Sequence, residues 1–115
     1  MLNLNEIAEG SLRVSNMRQS NGSSMTKDNL KHCAEEIIEA TESRSEWKHN
    51  VDLSRYSYIS TEDLEMYKND FADELMDIVV CVLVECAEND INIEEALKKC
   101  VSKNQKRALG IGDKL

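Results

Sequence analysis

A chain of 115 residues with no proline, only four glycines and abundant Glu, Lys, Leu and Ala has the length of one domain and a composition that speaks against a fold built on strands. Its formal charge of -8 repels nucleic-acid backbones and anionic membranes, so a phosphate-bearing ligand has to be met through cations. With 41% hydrophobic and 31% charged residues it lies clear of disordered compositions, and its longest apolar run, seven residues from Ile78 to Val84, falls short of the roughly 20 that span a bilayer.

Leu4, Ile7, Ala8, Leu12 and Ser15 recur at helical spacing and predict a first helix over about 3–19, weakened by Gly10. Gln19 to Ser24 reads as a loop. Thr26 is placed to cap a second helix over about 27–46, with Asp28 in its first turn and Leu30, Cys33, Ala34, Ile37 and Ala40 as its buried stripe. Lys48 to Ile59 lacks helical periodicity and reads as a loop with Trp47, Tyr56 and Tyr58 near its ends. Ser60 and Thr61 can cap a third helix over 61–88. Unbroken, it would be about 42 Å long, so a break near Asn69 is expected. Around Ile78 to Val84 this helix is apolar on nearly every side, which calls for cover from both the core and a second copy. Asn92 and Glu95 form a capping-box pattern for a last helix ending near Ala108, with Ala96, Leu97, Cys100 and Val101 as its buried face and Gly110 as its stop.

Cys33, Cys81, Cys86 and Cys100 show no C-x-x-C spacing and fall in apolar patterns, so they read as small buried hydrophobes. His32 and His49 read as surface residues, and Met66 and Met76 as packing. The N-terminal residues lack a basic stretch leading into an apolar run, so no secretory signal is predicted and a cytoplasmic location is expected.

Chemistry concentrates in two acidic units, Glu36-Ile-Ile-Glu39 and Glu74-Leu-Met-Asp77. Spacing of three places each pair on one helix face, where like charges repel. The second unit abuts the apolar run, so an unpaired ion there is costly and calls for compensation. Four carboxylates suit Mg²⁺ or Mn²⁺, hard ions that accept oxygen ligands and keep positions for phosphates. Two antiparallel helices could gather them, as inward-facing Glu residues do in metal-binding bundles. Glu35 points about 100° away from Glu36. The alternative is a pair of solvated acidic faces, since 22 Asp and Glu residues generate such spacings by chance.

The order Ala34-Glu-Glu-Ile-Ile-Glu-Ala40, then Asp73-Glu-Leu-Met-Asp-Ile-Val79, then Ile93-Glu-Glu-Ala-Leu-Lys-Lys99 followed by Lys103 and Arg107, resembles the MazG-like nucleoside triphosphate pyrophosphohydrolases over about residues 26–107. The resemblance implies a single all-α domain, a bundle of four to five helices assembling as a dimer or tetramer. It also implies Glu36, Glu39, Glu74 and Asp77 as metal ligands, with Lys103 and Arg107 on the phosphates. It implies Mg²⁺-dependent cleavage of a nucleoside triphosphate, a dNTP or a non-canonical NTP, to the monophosphate and pyrophosphate, with Glu36 or Glu39 as general base and no nucleic-acid or membrane partner. One departure is the long stretch from Ala40 to Asp73, 34 residues between the acidic units, whose excess is expected in the loop near Trp47. Trp47 could stack on a base or pack in the core or a dimer contact. Lys103 and Arg107 could equally be solvated cations favoured by a helix C-terminus. Other readings are a catalytically inert dimeric adaptor, or a related pyrophosphatase for dUTP, dCTP or a phosphoribosyl nucleotide.

Overall fold

The computed structural model of the chain describes residues 3–20 and 28–110. Within them the fold is all-α: α1 (Leu4–Ser20), α2 (Asn29–Ser54), α3 (Thr61–Glu88) and α4 (Ile93–Ala108), with no strand among the described residues. No helix among them is long and apolar enough to cross a membrane.

Each helix starts on a side chain that accepts otherwise unpaired backbone N–H groups. Asn3 Oδ1 accepts from the Glu6 amide at 3.2 Å. Asp28, expected inside the first turn of α2, is its N-cap and accepts from the amides of Leu30 and Lys31. Thr26, expected to fill that position, lies outside the described residues. Ser60 caps α3 through the Asp63 amide at 3.1 Å, and Asn92 caps α4 through that of Glu95 at 3.3 Å.

The segment after Trp47 corrects the expected loop. Helix α2 continues through it to Ser54, so Trp47 sits within a helix and the α2–α3 connection shrinks to residues 55–60. Nothing in Lys48–Ser54 breaks a helix. Val51 and Leu53 are half-buried and Asn50 is buried there, and the Asn50 amide donates to the Glu46 carbonyl one turn back in the same helix at 2.8 Å. The break expected near Asn69 is likewise absent, because α3 contains neither Gly nor Pro and packs against α2. The extra residues between the two acidic units therefore lengthen both helices.

Both long helices stop in the same way. Ser57 (φ 59°) and Asp90 (φ 53°) adopt the left-handed region, and the next residue's amide reaches back into the last turn, Tyr58 to the Leu53 carbonyl and Ile91 to that of Cys86. These are Schellman closures, in which glycine is the usual occupant of the left-handed position.

The packing order is α2 on α3, α1 on α3, and a short contact between α1 and α4. A small core of Ala8, Leu83 and Ile93, with Leu4, Cys86 and Ala87 against it, joins α1, α3 and the start of α4. A second set, Cys33, Ala40, Cys81 and Val84, lies buried on α2 and α3. The stripe expected on α2 is corrected here. Cys33 and Ala40 are buried, but Ala34 is exposed and Leu30 and Ile37 are 63% and 51% exposed, while Glu36 takes an inner position beside Cys33 and Ala40. The face expected to be buried on α4 is exposed throughout, and its N-terminal Ile93 is the residue that enters the core. Asn5 and Asn92 clasp this end, Asn5 donating to Asn92 Oδ1 at 3.1 Å and accepting from the Ile93 amide at 2.9 Å.

Because Ser57 carries a side chain in a conformation that costs an L-residue roughly 1–2 kcal/mol, Ser57→Gly should stabilise the protein by about 0.5–1 kcal/mol net of the added chain entropy. Thermal unfolding checks this, and a lower Tm in the variant would contradict it.

Candidate metal centre

Antiparallel packing of α2 on α3 sets the site's register. Cys33 meets Cys81 through a thiol hydrogen bond, Glu36 and Asp77 line one cavity, and Glu39 and Glu74 line the next. Because each acidic pair repeats at a spacing of three, the two units run alongside each other in opposite directions. Carboxylate oxygens of Glu36, Glu39 and Glu74 can all lie within 4.8 Å of one another, close enough to share one cation. Asp77 stands at the edge of this group and more exposed, yet its charge acts on both Glu36 and Glu74.

The electrostatics are those of an unneutralised cluster. Burial pushes the Glu36 carboxyl above its usual range, the charges of Glu39 and Asp77 push it further, and His32 opposes them. Glu74 is raised by the same causes, desolvation first, then Glu39 and Asp77, with a carboxyl–carboxyl hydrogen bond to Glu39 adding to them. Glu36 Oε2 and Glu74 Oε2 are both buried without a hydrogen-bond partner. Such orphaned acceptors cost on the order of 1–3 kcal/mol each unless something binds them, and a divalent cation satisfies both at once. The donor set, oxygen only, fits a hard ion such as Mg²⁺ or Mn²⁺.

His32, expected at the surface, is largely buried, and its Nε2 lies 3.3 Å from Glu36 Oε1. The signal that could have found it is its position four residues before Glu36, one turn along the same face. It supports and orients Glu36.

Two cavities open on either side of the cluster. The larger, 640 Å³, lies between α1, α2 and α3. Its walls include Ile7, Val14, Val80 and Val84, with Glu36 and Asp77 at its edge. Asn29 also lines it, with a side-chain amide that is buried and unpartnered. The smaller, 450 Å³, is lined by Glu39, Glu42, Glu46, Asp70, Asp73 and Glu74, with Ser43 as its sole uncharged residue. Trp47 is half-buried on α2 and lines neither cavity. Lys103 and Arg107 are exposed on α4, whose contact is with α1, and they too line neither. The structure thus brings the carboxylates together and leaves the basic pair apart from them.

The thiols behind the cluster are inert. Burial, with Cys33 adjacent, pushes Cys81 up to about 12, and burial raises Cys33 as well. Cys86 is half-buried, whereas Cys100, expected to be buried, is exposed on α4.

Compared with models of known families, with curated proteins and with solved structures, the chain matches none.

A glutamate whose pKa is raised by folding weakens the folded state as pH climbs, because the unfolded chain gives up that proton first. At about pH 3, below the unfolded pKa, Glu36 is protonated in both states, so wild type and Glu36→Gln should melt together. As pH rises from there through the raised Glu36 pKa, the wild type in chelator should fall progressively behind the variant in Tm. Added Mg²⁺ should raise the Tm of the wild type and have little effect on the variant. A gap in Tm that does not change with pH would contradict the raised pKa.

Proposed function

We propose that the protein is a Mg²⁺-dependent nucleoside triphosphate pyrophosphohydrolase of the MazG-like kind, acting on dNTPs or non-canonical NTPs. One observation carries the reading: Glu36, Glu39 and Glu74, on two antiparallel helices, converge within 4.8 Å, and the Oε2 atoms of Glu36 and Glu74 are buried without partners. A merely solvated acidic face gives Glu36 no reason to turn inward while Leu30 and Ile37 stay exposed. The family resemblance of the three motifs supplies the reaction class.

In this reading Glu36, Glu39, Glu74 and Asp77 hold the ion. When bound, Mg²⁺ offsets triphosphate charge and makes an attacking water more acidic. The water's proton goes to Glu36 or Glu39. His32, with Nε2 3.3 Å from Glu36 Oε1, keeps that carboxyl oriented. The nucleoside occupies the 640 Å³ cavity, where the apolar wall receives the ring and the Asn29 amide offers a donor to an acceptor on the base edge. The family resemblance alone assigns Lys103 and Arg107, which line neither cavity of the protomer, to phosphate oxygens and to charge on the departing pyrophosphate. Trp47 lies about 12 Å along α2 from Glu39, so a stacking role requires the ligand to reach past the cluster.

Incubation of the purified protein with a panel of NTPs and dNTPs plus Mg²⁺, with products separated by chromatography, should yield monophosphate and pyrophosphate. Glu39→Gln and Asp77→Asn should each lower turnover by about 100-fold or more while helical circular dichroism is unchanged. Orthophosphate with diphosphate would refute cleavage of the α–β bond, and no product from any nucleotide would leave an inert helical bundle.

A further inference from the structure

Asn29 is a buried polar residue that its own helix does not explain. It is 6% exposed, and its side-chain amide nitrogen is buried without a hydrogen-bond partner. Capping of α2 does not require it, because Asp28 accepts from the Leu30 and Lys31 amides. A buried donor left unpaired costs stability. Leu30, the next residue, is apolar and exposed, so the first turn of α2 puts an amide inside and hydrocarbon outside. That inversion has a physical reason where a ligand supplies the missing acceptor.

Geometry limits which part of a ligand reaches it. Asn29, His32 and Glu36 follow one another on a single face of α2, and all three line the 640 Å³ cavity. Seven residues lie from Asn29 to Glu36, two turns less about 20°, so the two are roughly 10 Å apart along the helix axis. That is close to the span from a metal-bound α-phosphate to the outer edge of its base. Helix α1 gives the cavity the same polarity. Its start joins the core beside the end of α3, where Leu4 and Ala8 meet the cluster of Leu83, Cys86 and Ala87, and Arg18 lies in its last turn. Arg18 therefore falls toward Asp77, and Ile7 toward Val84. It is the one Lys or Arg among the described lining residues. Phosphates suit the carboxylate end of the cavity, and a base suits the Asn29 end, with Ile7 and Val84 as apolar wall beside it.

What the Asn29 end offers a base is a donor. The start of α2 carries positive partial charge from its backbone N–H groups, which favours an oxygen acceptor nearby and disfavours the hydrogens of an amino group. The unpartnered amide nitrogen has the same preference. Ser11 and Ser15, whose hydroxyls donate or accept by rotation, do not discriminate.

We propose that Asn29 selects the base: the cavity takes nucleotides whose base carries a carbonyl oxygen at its outer edge, as uracil and hypoxanthine do, and discriminates against those with an amino group there, as in cytosine and adenine. The inference rests on the pyrophosphohydrolase reading for the triphosphate end of the ligand and adds to it the class of base.

Binding of α,β-imido analogues of dUTP and dCTP, which are not cleaved at the α–β bond, separates base choice from turnover. In the presence of Mg²⁺, calorimetry should show the dUTP analogue binding about 10-fold or more tightly than the dCTP analogue. Asn29→Asp replaces the amide donor with an acceptor, and an acidic residue in the first turn is compatible with the helix. This variant should lose or reverse the preference while its circular dichroism stays helical. Equal binding of the two analogues by the wild type, or a uracil preference unchanged in Asn29→Asp, would overturn the assignment and leave the pyrophosphohydrolase reading standing. Binding of neither analogue would overturn that reading and this inference with it.

Discussion

Like charge held between two packed helices is the constraint on which the structure depends. Glu36 and Glu39 on α2 face Glu74 and Asp77 on α3, and folding must bring these four carboxylates together against their mutual repulsion. Exposed on a single helix, such pairs would cost a few tenths of a kcal/mol. Gathered between helices, with two oxygens buried and unpartnered, they cost more. The site is therefore a place where the chain gives up stability, a cost that a bound cation would offset.

The shape of the molecule answers that constraint. Helices α2 and α3 extend well beyond the carboxylates, and the added contacts there, with α1 packed along α3, hold the acidic segment in register. Small buried residues, Cys33, Ala40 and Cys81, let the two backbones approach closely beside the carboxylates. The hydrophobic core is small because much of the apolar surface of α2, α3 and α4 faces outward.

Much of this was legible in the residues. Four helices, their capping residues Ser60 and Asn92, and the two acidic units at a spacing of three followed from local patterns that the structure retains. What misled was the assumption that apolar positions mark the inner face of α2. Here Glu36 takes an inner position while Leu30 and Ile37 do not, a reversal that hydrophobic periodicity cannot register. The extension of α2 to Ser54 escaped notice for a related reason: Lys48–Ser54 has no clear stripe, and tertiary contact rather than pattern keeps it helical. On α4 the amphipathic pattern was real, but a pattern does not say whether the cover comes from the same chain or another. His32 was missed because it was weighed as a metal ligand in its own right and not as a neighbour of Glu36, four residues on.

Diffraction from crystals grown with Mn²⁺, with data collected at the manganese absorption edge, tests the central claim most directly. An anomalous peak within about 2.0–2.4 Å of oxygens from Glu36, Glu39 and Glu74 is the predicted result. Strong manganese peaks elsewhere on the molecule, with these three carboxylates bare or turned to solvent, would contradict it.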